Sequence, residues 1–192
     1  RDRVNEVCKR LNLDITSIDP DDPFIYESLQ NLKTPQGLFQ IEADTNFKVC
    51  KKVAPKSLEQ LSAVVAIARP GALDFADQYA TYSASGVFQL VHDFFKEELS
   101  YTGGIPLYQE QLMKMAVRIG FTLDESEQLR RIVGKKKVSE MPAWQGKIRE
   151  KIASQNLDPA IGDVLWKVAE DSANYSFNKS HSISYAILAA WT

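Results

Sequence analysis

The chain has 192 residues, of which 44% are hydrophobic and 25% charged, an ordinary balance for a soluble globular protein able to bury a core. Its formal net charge is −2, and no apolar stretch approaches the roughly 20 residues needed to span a bilayer. Cys8 and Cys50 are isolated and His92 and His181 are the only histidines, so neither a Cys/His metal site nor a histidine-based catalytic triad has much to draw on.

The start, RDRVNEVCKR, is charged and helix-like and is not a signal peptide, so a cytoplasmic location is expected. Both ends read as cut from something longer, because the chain stops inside the apolar pattern YAILAAWT.

Asp22 followed by Pro23 is an N-cap with proline at the first helical position, opening a helix over FIYESLQN. Asp19, Asp21 and Asp22 lie close together, but Pro20 and Pro23 make them a turn and a cap, not a metal site. GLFQIE at 37–42 is a short strand or a buried turn.

Residues 43–53 place Phe47, Val49, Cys50 and Val53 at helical spacing with lysines between them. Ser57 and Gln60 have capping-box spacing before LSAVVAIA, a helix that Arg69, Pro70 and Gly71 end.

Residues 73–104 are the least legible. A helix is expected over VFQLVHDFFKEEL, with Gly103 and Gly104 as a flexible joint after it. LYQEQLMKMAVRI is strongly amphipathic and ends at Gly120. Thr122 and Glu125 cap the next helix, which ends near Gly134. Further helices are expected over 139–154, from Asp158-Pro159 onward, and from Ser180 or Ser182 to the end. The fold class is mainly α, with 1–192 as one domain and 73–104 as a looser, acidic section.

The densest signal is LRRIVGKKK at 129–137, with Arg130, Arg131, Lys135, Lys136 and Lys137 inside eight consecutive positions. Cations at a helix C-terminus gain roughly 0.3–1 kcal/mol each from the macrodipole. That explains the two arginines better than the three lysines beyond the last turn. A phosphate-bearing partner is the competing reading.

Five segments in order, GLFQIE (37–42), VVAIARPGAL (64–73), GIPLYQEQLMKMA (104–116), LRRIVGKKK (129–137) and FNKSHSISYA (177–186), together resemble the alpha subunit of bacterial DNA polymerase III, the C-family replicative polymerase. The stretch resembles its helical fingers region. The resemblance implies a part of a DNA-directed DNA polymerase, inactive alone, that binds the incoming dNTP triphosphate and template-primer DNA. It also implies Mg2+ held by palm aspartates upstream of Arg1, and a sliding clamp and other replisome subunits as partners of other parts of the protein.

By that resemblance Arg130, Arg131, Lys135, Lys136, Lys137, Lys179 and His181 are assigned to phosphate. Tyr175, Asn178 and Ser180 are assigned to base pair or sugar. Asn178 and Ser180 have an alternative as caps of the last helix. Arg69 is a candidate for DNA or a buried carboxylate, and Gln40 for DNA or a polar network that also includes Glu42 and Tyr108 to Gln111.

The chain departs from the family pattern at Ala72, Asn174 and Ser176, and 73–91 matches poorly. A helical nucleic-acid-binding or protein-interaction module without polymerase chemistry is the alternative.

Overall fold

The computed structural model describes residues 2–135 and 139–192. Among them the regular structure is helical, with a single isolated bridge between Tyr108 and Phe177 in place of any sheet. Eleven α-helices follow in order: α1 (Asp2–Leu11), α2 (Pro23–Asn31), α3 (Asp44–Val53), α4 (Leu58–Ile67), α5 (Ala76–Ser85), α6 (Lys96–Leu99), α7 (Gln109–Arg118), α8 (Leu123–Gly134), α9 (Met141–Ser154), α10 (Pro159–Tyr175) and α11 (Lys179–Trp191).

Local chemistry accounts for most of the boundaries. The Asp22 carboxylate accepts the Phe24 N–H ahead of Pro23. Thr122 and Glu125 form the full reciprocal capping box of α8. Ser57 caps α4 by accepting the Gln60 N–H, but the Gln60 side chain turns to Lys56 N–H and the Ser83 hydroxyl, so that box is only half formed. GLFQIE is a run of turns, with Gln40 itself at φ 62°.

The aspartates near the start follow the same logic. Asp19 accepts the Asp21 N–H, and Asp21 accepts the Leu58 N–H at the start of α4.

Two hydrophobic clusters organise the packing. The first joins α2, α3, α4, α5 and α11 around Tyr26, Leu61, Ile67, Tyr79 and Leu107. The second joins α6 to α10 around Phe95, Met115, Leu129, Ile148 and Leu165. Each fully buried aliphatic or aromatic side chain contributes about 1.5–3 kcal/mol.

α11 packs along α4 through a small-residue face, Ser182, Ala186 and Ala189. There Ser182 donates to the Ser62 carbonyl at 2.6 Å and Ser62 donates to Ser182 Oγ at 2.9 Å. With its proton so used, Ser62 Oγ accepts from the Tyr108 hydroxyl at 3.1 Å, which closes a buried polar triad.

The acidic section differs from expectation in two places. A helix missed by the sequence reading covers Ala76–Ser85, burying Ala76 and Tyr79 and ending at Gly86 with φ 71°. The helix expected over 87–99 is reduced to a 3-10 turn at 93–95, capped by His92 Nδ1, and the single turn α6. Val87 and Val91 remain exposed, because 87–92 runs non-helically across Gly104.

Gly103 and Gly104 are buried and closely packed, not a loose joint.

Cys50 is 1% exposed on α3, and burial pushes its thiol up to about 12. Cys8 is only half-buried. Brief iodoacetamide treatment of the native protein at pH 8 is therefore expected to alkylate Cys8 and spare Cys50 until denaturant is added, because the thiolate is the nucleophile. Equal labelling of both, read by mass spectrometry, would contradict this burial.

Candidate functional site

A short backbone clip sets up the site. Gln109 N–H donates to the Phe177 carbonyl at 2.9 Å and Phe177 N–H to the Leu107 carbonyl at 3.1 Å. The start of α7 is thereby fixed beside the start of α11, at the seam between the two hydrophobic clusters. Gln111, fully buried, locks the α7 side by accepting Tyr108 N–H and donating to the Glu98 carbonyl and the Thr102 hydroxyl.

The turn after α4 locks the other side. Gly71 at φ 89° lies so close to the Asn174 carbonyl that a Cβ would sit 3.0 Å from it. Arg69 donates to the Tyr175 carbonyl at 2.7 Å and to Ala66 at 3.2 Å, with its guanidinium 4.0 Å above the Phe177 ring. Arg69 thus holds the 175–177 segment through a carbonyl and a ring, and among the described residues no carboxylate pairs with it.

Onto this frame two cation-bearing elements converge, α8 and α11. Arg130 on α8 is half-buried and donates to Gln109 Oε1 at 3.2 Å, which ties α8 to the head of α7. Next along α7, Glu110 accepts Asn178 Nδ2 at 2.9 Å and Lys179 N–H at 3.0 Å. Asn178 also caps α11, accepting the His181 N–H.

Arg130 and the first turn of α11 are therefore joined through two consecutive residues of α7. Lys179 turns its ammonium to Glu59 Oε1 at 2.9 Å, over the Tyr101 ring at 4.4 Å.

Glu127 is the residue that sequence reasoning overlooked in the basic cluster. It accepts a two-pronged bond from Arg130, at 2.6 and 2.7 Å, and a third from Arg131 at 2.8 Å. One acid thus partly neutralises two arginines, and the spacing of three and four residues along one helix was the available signal. The Arg130 guanidinium, with Arg131 behind it, holds the Glu127 carboxyl down at about 2.

Because this pKa is depressed on folding, the stabilisation it brings is fully present above the ordinary value of 4.5 and is lost as pH falls through about 2. An NMR titration of the Glu127 carboxyl should place its midpoint near 2; a midpoint near 4.5 would refute the pairing.

The remaining candidates fall as follows. Lys135 is exposed at the C-cap of α8, while Lys136 and Lys137 lie outside the described residues. His181 is exposed, with its ring 4.0 Å from Tyr185 and 5.4 Å from Phe177. Ser180 is exposed, and its carbonyl accepts the Ser184 hydroxyl.

Tyr175 is only 8% exposed, with its ring edge-on to Phe75 at 4.8 Å and its phenol pKa raised by burial. Gln40 is exposed, and its carbonyl accepts the Asn46 amide. The geometry thus groups Arg130, Asn178 and Lys179 with Gln109 and Glu110, and leaves Gln40 with α3.

Among the described residues no three His, Cys, Asp or Glu side chains are grouped to hold a metal ion, and no helix is long and apolar enough to cross a membrane. Residues 2–156 match the family model described as the bacterial DNA polymerase III alpha subunit finger domain. The chain is 37% identical over 202 residues to the DNA polymerase III subunit alpha of Pseudomonas fluorescens, covering 100% of this chain and 17% of that protein. It is 35% identical over 187 residues to the corresponding subunit of Aquifex aeolicus and 30% identical over 197 residues to that of Thermus aquaticus.

These alignments cover 95% and 99% of this chain, and in each case 16% of the relative, so the chain spans about a sixth of the length of the proteins it matches. The family match covers α7 and α8 and ends before α11, and this chain belongs to the bacterial DNA polymerase III alpha subunit finger domain family.

Proposed function

We propose that the chain is one domain of a longer DNA-directed DNA polymerase, acting in replication, and that its cationic seam receives the triphosphate of an incoming deoxynucleotide on template-primer DNA. The observation that carries this reading is the convergence of Arg130 and Lys179, with the N-terminus of α11, on the Gln109–Glu110 pair.

Phosphoryl transfer asks the protein chiefly for positioning and charge stabilisation, and pre-fixed cations supply both. Arg130 uses three of its five N–H donors on Glu127 and Gln109, leaving two for phosphate oxygens. Lys179 adds a point charge, and Lys135, exposed at the end of α8, adds another for a nucleic-acid backbone.

His181 and Ser180 lie on the exposed first turn of α11, where phosphate or sugar would meet them. Mg2+ belongs in this reading to carboxylates elsewhere in the longer protein, where it supplies charge neutralisation at the reacting phosphate. No sliding clamp or other replisome contact is required of these residues.

A photoreactive deoxynucleotide with its reactive group on the γ-phosphate tests the reading. Cross-linked to the full-length protein on template-primer DNA, it should label peptides containing Arg130–Lys135 or Asn178–His181. Labelling confined to peptides outside this chain would overturn the reading.

A further inference from the structure

Lys179 meets carboxylates from different helices at both ends, through a hydrogen bond at its backbone and an ion pair at its ammonium. Its backbone N–H donates to Glu110 Oε2 on α7 at 3.0 Å, and its ammonium sits 2.9 Å from Glu59 Oε1 on α4. Between the two ends the side chain is flanked by aromatic walls, with Nζ 4.4 Å from the Tyr101 ring centroid and 5.6 Å from that of Tyr108. The side chain remains 28% exposed.

Glu59 is in the first turn of α4, where the helix dipole favours an acid, and α4 is rigidly seated by the Ser62–Ser182 and Ser62–Tyr108 bonds. A lysine otherwise sweeps a large volume on its four-carbon stem, and a cation that must be reordered when its ligand arrives stabilises a transition state poorly.

We propose that Glu59 is a positioning residue for nucleotide transfer, holding the Lys179 ammonium in one orientation between Tyr101 and Tyr108 so that it meets the triphosphate already aligned. The inference rests on the phosphate role of Lys179 proposed above. Glu59 competes with the triphosphate for the same ammonium, so it weakens ground-state attraction while it improves orientation. Its removal therefore has a signature that loss of a purely structural contact lacks.

In the full-length polymerase on template-primer DNA, Glu59→Ala should lower kcat about tenfold while leaving KM for the deoxynucleotide unchanged or lower. Lys179→Ala should lower kcat by at least as much and also raise KM severalfold. The double variant should be no worse than Lys179→Ala alone, because Glu59 acts through that lysine. Glu59→Gln, which keeps an oxygen acceptor at the same reach, should recover part of the lost kcat and guards against Glu59→Ala failing to fold.

The inference is overturned if Lys179→Ala is impaired while Glu59→Ala and Glu59→Gln both behave as wild type. It is also overturned if the Glu59 and Lys179 losses multiply in the double variant. If Lys179→Ala leaves nucleotide KM and kcat unchanged, the phosphate role of Lys179 falls and the positioning role falls with it.

Discussion

Replacing Arg130 with alanine in the full-length polymerase is expected to lower kcat/KM for the incoming deoxynucleotide by about 10²–10³-fold, on the order of 3–4 kcal/mol of transition-state stabilisation. The magnitude follows from where the side chain sits. Arg130 is 29% exposed, oriented by a two-pronged bond to Glu127 and steadied by Gln109, so its guanidinium is held before a ligand arrives.

Arg131 is 64% exposed and has one bond to the same acid, so Arg131→Ala should lose far less. Arg130→Lys should recover little, since an ammonium cannot bond Glu127 in a fork and reach a phosphate at once. Steady-state nucleotide titration of the three variants reads this order directly. An Arg130→Ala enzyme with wild-type nucleotide dependence would remove Arg130 from the site.

The second large effect is on stability. Gly104 adopts φ 78°, and a Cβ placed there would lie 2.1 Å from the Gln89 carbonyl oxygen and 3.4 Å from the Phe88 ring. Gly104→Ala therefore combines a left-handed backbone, about 1–2 kcal/mol for a residue with a side chain, with an overpacking cost of about 1–3 kcal/mol.

The neighbouring segment has no easy way to yield, because Phe88 is braced edge-on against Tyr82, and Tyr82 also covers Gly103. A loss of about 2–5 kcal/mol in urea unfolding is expected. Gly86→Ala, at φ 71° with nothing within 4 Å, should lose only the backbone part. Equal losses at the two glycines would contradict the close approach at Gly104.

What the sequence made legible follows a physical division. Helix starts with a side-chain cap, at Asp22, Ser57, Thr122 and Asp158, were readable because the capping interaction is local. The amphipathic α7 and the family motifs were readable for the same reason, as patterns within a few residues.

Helix α5 was not, because its buried face is made of Ala76 and Tyr79, small and aromatic residues whose pattern carries little apolar periodicity. The non-helical path of 87–92 depends on Gly104, some 15 residues further on, and has no local mark.

The site divides in the same way. The cluster at Arg130 and the segment at Lys179 were each visible as strings, and Asn178 as a helix cap. That Arg130 and the start of α11 meet through Gln109 and Glu110 depends on the backbone clip at Phe177, a contact between segments nearly 70 residues apart. Glu127 was within reach of a helical-spacing argument. Glu59 was not, since 120 positions separate it from Lys179 and only the packing of α4 on α11 joins them.

The seam between α7, α8 and α11 is proposed to hold the triphosphate of an incoming deoxynucleotide. The most direct measurement is a structure of the full-length protein with template-primer DNA and a non-hydrolysable deoxynucleotide. Triphosphate oxygens are expected within about 3.2 Å of the Arg130 guanidinium and the Lys179 ammonium. A triphosphate bound elsewhere, with Arg130 still closed on Glu127 and Gln109 and Lys179 still closed on Glu59 alone, would contradict it.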